Sequence, residues 1–560
     1  MTIKFPAVAT AAITASIILS GCGSAVPTIV STPLENIDKQ PLKTTSLNEV
    51  QLKGWGGADI VSDTIPGMSV EKAYTEIIKD KQGQSVIVAV IDSGVDIEHE
   101  DLKNVIWTNT DEIPNNGIDD DKNGYIDDIH GWNFLGDIVE ENMEYVRILR
   151  DGYSKFENAS ASDFSGEDLE AYNQYVEAKA EYDKEYGEAI QNKQQYEGIY
   201  QQLKAAHSAV SKEIGKEDYT KKELSEMTTT SEQLGQYKGF LTQMYTYAEG
   251  QTIPEFMEGI KEGVDYFAGR LNSHFNQKLN ARATILKDNP DDWSTRYYGN
   301  NDVDGPDPKK ADAKHGTHVA GIIAASRNNG VGMNGVAQNV EIMVIRAVPD
   351  GDEYDKDIAN AIRYAVDNGA KVINTSFGKY FSTHPEWVND AIEYAAKKDV
   401  LIVNAAGNEG LNLDEKRVYP NDQTPTEPKE ISDTFLTVGS LTYTYGAEMV
   451  SSFSNYGKSN VDVFAPGSKI WSTTPLNEYE YLQGTSMAAP AAAGVAAMVR
   501  SYFPNLKASE VKQVLMESGL STTQTVVVGG ESSNTKPFTS LSTSGKMVNL
   551  YNALILASKK

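Results

Sequence analysis

Three short stretches of this chain carry side chains suited to acyl transfer. In Tyr481-Leu482-Gln483-Gly484-Thr485-Ser486-Met487-Ala488-Ala489-Pro490 a small hydroxyl follows a polar turn and opens a helix of small apolar residues. Taken alone, Ser486 reads equally well as an N-cap or as a nucleophile. Val88-Ala89-Val90-Ile91-Asp92 reads as a buried strand ending in a carboxylate, and His315-Gly316-Thr317-His318-Val319-Ala320-Gly321 sets an imidazole at another helix start. A hydroxyl, an imidazole and a carboxylate, each at the end of a regular element, are the parts of a nucleophile, base and orienting acid.

The elements that must hold them alternate. Segment 85–91 is an apolar run without polar alternation, as in a parallel sheet buried on both faces. Beyond His315 the pattern predicts a strand at 340–345, a helix at 355–368, a strand at 372–374, a helix at 386–398 and a strand at 400–404. This alternation predicts an α/β fold with a doubly wound, mostly parallel sheet, whose carboxyl edge receives ligands. Asn374-Thr375-Ser376-Phe377-Gly378 and Asn404-Ala405-Ala406-Gly407-Asn408 deliver polar loops to that edge.

Between these parts the composition shifts to Glu, Gln, Lys, Tyr and Ala. Leu169, Tyr172, Tyr175, Ala178, Tyr182, Tyr186 and Ile190 recur at helical spacing, predicting a long amphipathic helix to about 210. Further helices are expected at 219–249 and 254–286, the latter striped by Phe256, Ile260, Val264, Phe267 and Leu271. The stripes predict a helical hairpin or small bundle, and its outer face is a candidate surface for a partner.

At 560 residues, 40% hydrophobic and 23% charged, the chain is long enough for a large core. A net charge of −29 argues against a nucleic-acid partner. The single cysteine, Cys22, excludes an intrachain disulfide and a Cys-based metal site. It follows Lys4, an apolar run at 7–19 and Leu19-Ser20-Gly21, which resembles a bacterial lipoprotein signal with Cys22 as the lipidated residue; an ordinary secretory peptide is the alternative. The expected location is therefore a bacterial cell envelope, outside the cytoplasm and lipid-anchored. Residues 23–53 read as a tether.

The loop Asp119-Asp120-Asp121-Lys122-Asn123-Gly124-Tyr125-Ile126-Asp127-Asp128 offers side-chain oxygens at Asp119, Asp121, Asn123 and Asp128 and a carbonyl at Tyr125. It is a calcium-type loop or a solvated acidic turn. His130 at the twelfth position excludes an EF-hand.

The order Asp92, His315, Ser486, within Asp-Ser-Gly, His-Gly-Thr-His-Val-Ala-Gly and Gly-Thr-Ser-Met-Ala-Ala-Pro, resembles the subtilisin-like serine proteases. The similarity covers about 54–134 and 296–560, as the catalytic domain, and leaves 135–295 as a helical insertion. It implies an endopeptidase acting on extended protein or peptide segments, with Asp92, His315 and Ser486 as triad and Asn408 as oxyanion donor. Ser376, Phe377, Gly378 and Gly407 then hold the substrate backbone, and His318 is a packing residue. Catalysis needs no cofactor. Structural calcium is implied at Asp101 and Asn329, completed by carbonyls of the 327–333 loop, and Asp302, Asp304 and Asp307 are candidates to join the 119–128 loop. Two departures stand out: Ala491 where many relatives have a second His, and no stretch between Cys22 and Trp55 long enough for an inhibitory prodomain. A catalytically idle module binding through its insertion, and an esterase, are the competing readings. An esterase predicts Gly-x-Ser-x-Gly, and Ser486 lies in Gly-Thr-Ser-Met-Ala.

Overall fold

The computed structural model describes residues 31–560 apart from 42, 44, 249 and 424–428, so Cys22 and the signal-like segment lie outside the described residues. The strands are β1 (Val86–Asp92), β2 (Gly131–Asn133), β3 (Val340–Arg346), β4 (Val372–Thr375), β5 (Leu401–Ala405), β6 (Phe435–Leu441), β7 (Val463–Pro466), β8 (Ile470–Thr474), β9 (Glu478–Leu482), β10 (Leu520–Ser521), β11 (Thr525–Val527), β12 (Thr535–Pro537) and β13 (Lys546–Met547). Nine of them form one sheet in the order β10-β13-β7-β6-β5-β4-β1-β3-β2, parallel throughout except at β10–β13.

The helices are α1 (Glu49–Gly54), α2 (Val70–Ala73), α3 (Glu144–Phe156), α4 (Glu167–Ile214), α5 (Lys221–Glu226), α6 (Glu232–Met244), α7 (Ile253–Asn272), α8 (Lys314–Ala324), α9 (Asp355–Asp367), α10 (Pro385–Lys397), α11 (Thr485–Tyr502), α12 (Ala508–Ser518) and α13 (Leu550–Ala557). Side chains alternate across a strand, so β1 feeds two cores at once. Val88 and Val90 pack with Val319 and Ala320 of α8 and the alanines of α11, whereas Ala89 and Ile91 pack with Ile358 and Ile362 of α9 and Ile392 of α10. Covered on both faces, the sheet is the doubly wound α/β arrangement the alternation predicted.

The chain leaves β1 toward β3 on one side and returns to β4 on the other, and such a reversal opens a crevice at the carboxyl ends of the strands. Small residues bring the neighbouring helices close. A Cβ on Gly321 of α8 would lie 2.2 Å from Thr473 Oγ1 of β8.

Helices α3 to α7 lie between β2 and β3. Helix α4 runs for 48 residues, about 72 Å at ~1.5 Å per residue, and packs along α7. Two expected boundaries differ. The 219–249 helix is two, α5 and α6, because Thr228, Thr229 and Thr230 interrupt it and Ser231 caps α6 by accepting from Leu234 N. The 254–286 helix ends at Asn272, where Asn142 Nδ2 donates to the Ser273 carbonyl at 2.7 Å and Met143 N to that of His274 at 3.1 Å. Helix α3 was not anticipated, because Glu144 and Arg147 disguise a face that is in fact buried.

The described part of the expected tether is docked. Ile37 is 0% exposed, its N–H donates to the Ser521 carbonyl, and Asp38 accepts from Thr522 and Thr523. One fully buried isoleucine and a carboxylate that accepts from the Tyr445, Thr522 and Thr523 hydroxyls and from Thr523 N hold this strip to the body, which composition alone does not reveal. No helix among the described residues is long and apolar enough to cross a membrane.

Candidate active site

Asp92 is the last residue of β1 and 1% exposed. Its Oδ1 accepts from Ser93 N at 2.7 Å and from His315 Nδ1 at 2.7 Å, while Oδ2 is buried without a partner among the described residues. With Nδ1 donating to a carboxylate, the neutral imidazole keeps its lone pair on Nε2. Burial pulls the His315 pKa down, but the Asp92 charge and hydrogen bond outweigh it and raise it above 6.5. The approach of α8 to β1 needs Gly316, since a Cβ there would sit 2.1 Å from the Gly94 carbonyl oxygen and 3.1 Å from Asp92 Cβ.

His318, one turn on, is fully buried, and its Nε2 lies 3.1 Å from the Ile470 carbonyl oxygen and 3.2 Å from that of Glu480. Burial pushes it down to about 3, so it stays neutral and ties α8 to the β8–β9 hairpin.

Ser486 is the second residue of α11. Its Oγ donates to the Ser376 carbonyl at 3.0 Å, and Ser376 Oγ donates back to the Ser486 carbonyl at 2.8 Å. The hydroxyl is thus turned toward Ser376 rather than toward His315. Asn408 Oδ1 accepts from Thr485 N at 2.8 Å and Thr485 Oγ1 at 3.0 Å, which fixes the amide and leaves Nδ2 without a protein acceptor among the described residues. The position a Gly484 Cβ would take lies 3.5 Å from both Asn408 Nδ2 and Ser486 N, so two N–H groups flank one small space. Ser486 N is one of the orphan donors of a helix start.

Thr485 went unremarked in the sequence and is the knot of this arrangement, since its hydroxyl also accepts from Gly407 N at 3.0 Å. Its signal was its place as the first helical residue beside Ser486. Gly407 has φ of +100°, and a Cβ there would lie 2.4 Å from Asn455 Nδ2. Phe377 packs its ring on the α9–α10 core, and the N–H groups of Phe377 and Gly378 have no partner among the described residues. Lys379 closes the segment by pairing antiparallel with Tyr419.

Away from this edge, Asp101 is 0% exposed and holds the 327–333 loop, accepting from Asn329 Nδ2 at 2.5 Å and Met333 N at 3.1 Å. In the acidic loop, Asp119 and Asp121 converge with Glu112, with ligand oxygens within 4.8 Å of one another. Glu112, seven residues earlier, was missed because it lies outside the loop's alternating pattern. Asn123 Nδ2 bridges Asp121 and Asp128, and Asp128, pushed up to about 6 by burial, also accepts from Asn109 and Tyr364. The Tyr125 ring is buried against Trp132 and Tyr364. Asp304 pairs with Lys310 at 2.7 Å and Asp307 Oδ1 accepts from Lys309 N, whereas Asn301 Nδ2 donates across to the Asp127 carbonyl and Tyr297 packs on Tyr125.

A model described as the subtilase family matches residues 83–534. The chain is 43% identical over 188 residues to the thermophilic serine proteinase of Bacillus sp. strain AK1, covering 33% of this chain and 42% of that one. It is 39% identical over 221 residues to the cell wall-associated protease of Bacillus subtilis strain 168, covering 39% and 23%, and 37% identical over 220 residues to thermitase of Thermoactinomyces vulgaris, covering 39% and 72%. The chain therefore spans less than half of the first two of these relatives. A match over most of the chain, on a sheet whose carboxyl edge carries Asp92, His315 and Ser486 in that order, makes this chain a member of the subtilase family.

Proposed function

We propose that this protein is a serine endopeptidase that hydrolyses peptide bonds in extended protein segments. The observation that carries the reading is the 2.7 Å bond from His315 Nδ1 to Asp92, which keeps Nε2 basic at the edge where Ser486 opens α11. Ser486 turns from Ser376 to His315, gives its proton to Nε2 as Oγ attacks the carbonyl carbon, and the C–O bond forms. The imidazolium then protonates the amide nitrogen, the C–N bond breaks, and water repeats the sequence on the acyl-enzyme. Asp92 holds the tautomer and offsets the transient positive charge.

Asn408 Nδ2 and Ser486 N are suited to receive the oxyanion, because both are preorganised and neither is spent on an acceptor among the described residues. Asn408→Ala is expected to lower kcat by about 10²–10³-fold with KM little changed, since the charge they stabilise exists only in the transition state. Steady-state kinetics on a fluorogenic peptide checks this, and a change confined to KM contradicts it. The N–H groups of Phe377 and Gly378, without a partner among the described residues, support recognition of an extended backbone as an added strand. Covalent labelling by a fluorophosphonate, mapped to Ser486 by peptide mass, tests the assignment. A protein that resists the probe, or is labelled elsewhere, is not this enzyme.

The all-oxygen donor set of Glu112, Asp119 and Asp121 fits a hard cation such as calcium in a structural role. A chelator is expected to lower Tm, with a loss of about 2.7 kcal/mol of stability where the cation stood at a hundred times its Kd. Asp121→Ala removes most of that response. Calorimetry with and without calcium reads the difference, and equal Tm values in the parent protein overturn the assignment.

A further inference from the structure

The segment 376–384 runs from the candidate nucleophile to the helical insertion without a break. At one end Ser376 exchanges two hydrogen bonds with Ser486. At the other, Lys379 and every residue from Phe381 to His384 contact the insertion. Lys379 Nζ donates to Glu144 Oε2 of α3 at 2.8 Å, Phe381 packs on Tyr145 with ring centroids 5.8 Å apart, and the Ser382 carbonyl accepts from Gln174 Nε2 of α4 at 2.8 Å.

Lys379 is 1% exposed, and its three N–H groups are taken by Glu144, by the Glu353 carbonyl and by Asp355 Oδ1 at 3.0 Å. Glu144 is 3% exposed and also pairs with Arg147, whose guanidinium donates to the Asp352 and Glu353 carbonyls. Burial alone would favour the neutral acid, but Arg147 and Lys379 hold its pKa down to about 2. Such a buried, interlinked set of charges, in which Glu144 and the Lys379 ammonium are fully paired and Arg147 Nε has no partner among the described residues, fixes register more than it adds stability. The residues in that register follow immediately after 376–378, the proposed substrate strand.

We infer that the helical insertion is a positioning device for the substrate strand, acting through the Glu144–Lys379 ion pair and the Gln174–Ser382 hydrogen bond. Glu144, Gln174 and Lys379 are positioning residues, remote from the reacting atoms. The inference rests on the protease reading above. It predicts that disturbing the insertion impairs substrates in proportion to how much backbone they lay along 376–378, because a small misplacement of the pairing edge weakens extended binding before it touches the acyl-transfer atoms.

The test compares the full chain with Glu144→Gln, Gln174→Ala, and Glu144→Gln combined with Lys379→Met, on an eight-residue peptide and on a single-residue p-nitrophenyl ester. Glu144→Gln is expected to lower kcat/KM for the peptide by about tenfold, mainly through KM, and for the ester by much less. Gln174→Ala changes the same ratio in the same direction, and the double variant, which removes the stranded buried ammonium, recovers part of the loss. Equal factors on both substrates, as from a merely structural role, or no change on either, overturn the inference. Should Glu144→Gln fail to fold, the peptide-to-ester ratio of Gln174→Ala decides alone. Failure of the parent protein to react with a fluorophosphonate would instead remove the protease reading, and the inference with it.

Discussion

Ser486→Ala is expected to lower kcat by about 10⁶-fold, the scale on which loss of a serine nucleophile acts, and to abolish fluorophosphonate labelling. The variant loses the bond-forming oxygen, and neither the amide donors beside it nor the His315–Asp92 pair can supply another. A remnant about 10³–10⁴-fold above the uncatalysed rate should persist, because Asn408 Nδ2 and the residue-486 N–H still receive an oxyanion when water attacks unaided. The fold should survive. The lost contact is one hydrogen bond to the Ser376 carbonyl, worth about 0.5–1.5 kcal/mol, whereas α11 is held by its buried alanines across the sheet. Active-site labelling with turnover of a fluorogenic peptide checks both halves. If the variant keeps more than a trace of activity, or still takes the probe, another residue is the nucleophile.

The parts of the site that could be read from the sequence were those fixed by local chemistry. Asp92 ends an unbroken apolar strand, His315 and Ser486 each open a helix, and Asn408 follows a glycine after β5, so each announced its own position. The doubly wound sheet was legible for the same reason, since an apolar strand buried on both faces has no other use in a chain that alternates with amphipathic helices. What escaped was set by long-range pairing. Thr485 matters only because Gly407 and Asn408 come to it from another loop, and Glu112 matters only because Asp119 and Asp121 fold back on it. Helix α3 was hidden because its buried face includes Glu144 and Arg147, which read as surface residues until Lys379 and the Asp352 and Glu353 carbonyls are set opposite them. The strip at 31–38 was taken for tether because Leu34 and Ile37 are isolated apolar residues in polar sequence, and the cluster that receives them includes distant residues such as Leu520 and Phe538.

Asp92→Asn is expected to cost about 10⁴-fold in kcat while leaving the shape of the site intact. Asp92 Oδ1 accepts from both Ser93 N and His315 Nδ1, so the carboxylate demands an N–H on Nδ1 and leaves Nε2 free to take the serine proton. An asparagine whose oxygen stays with Ser93 N can turn its NH₂ toward the ring, where it bonds best to a bare Nδ1. The proton then resides on Nε2, and the base is disabled at the atom that, in the proposed mechanism, has to take the proton of Ser486. The pH profile separates this loss from simple misfolding. His315 must be neutral to act, so activity falls as pH drops through its folded pKa. In the parent that value is raised above 6.5, because the Asp92 charge and hydrogen bond outweigh burial, and the acid limb of kcat/KM should lie above pH 6.5. The same pair stabilises the fold fully below the ordinary imidazole value, and that contribution is lost as pH rises through the folded one. In the asparagine variant only burial remains, which disfavours the cation, so the small residual activity should show its acid limb displaced downward. A profile of kcat/KM against pH for both proteins reads the shift. A limb that stays in place or moves upward would mean that Asp92 does not govern the imidazole.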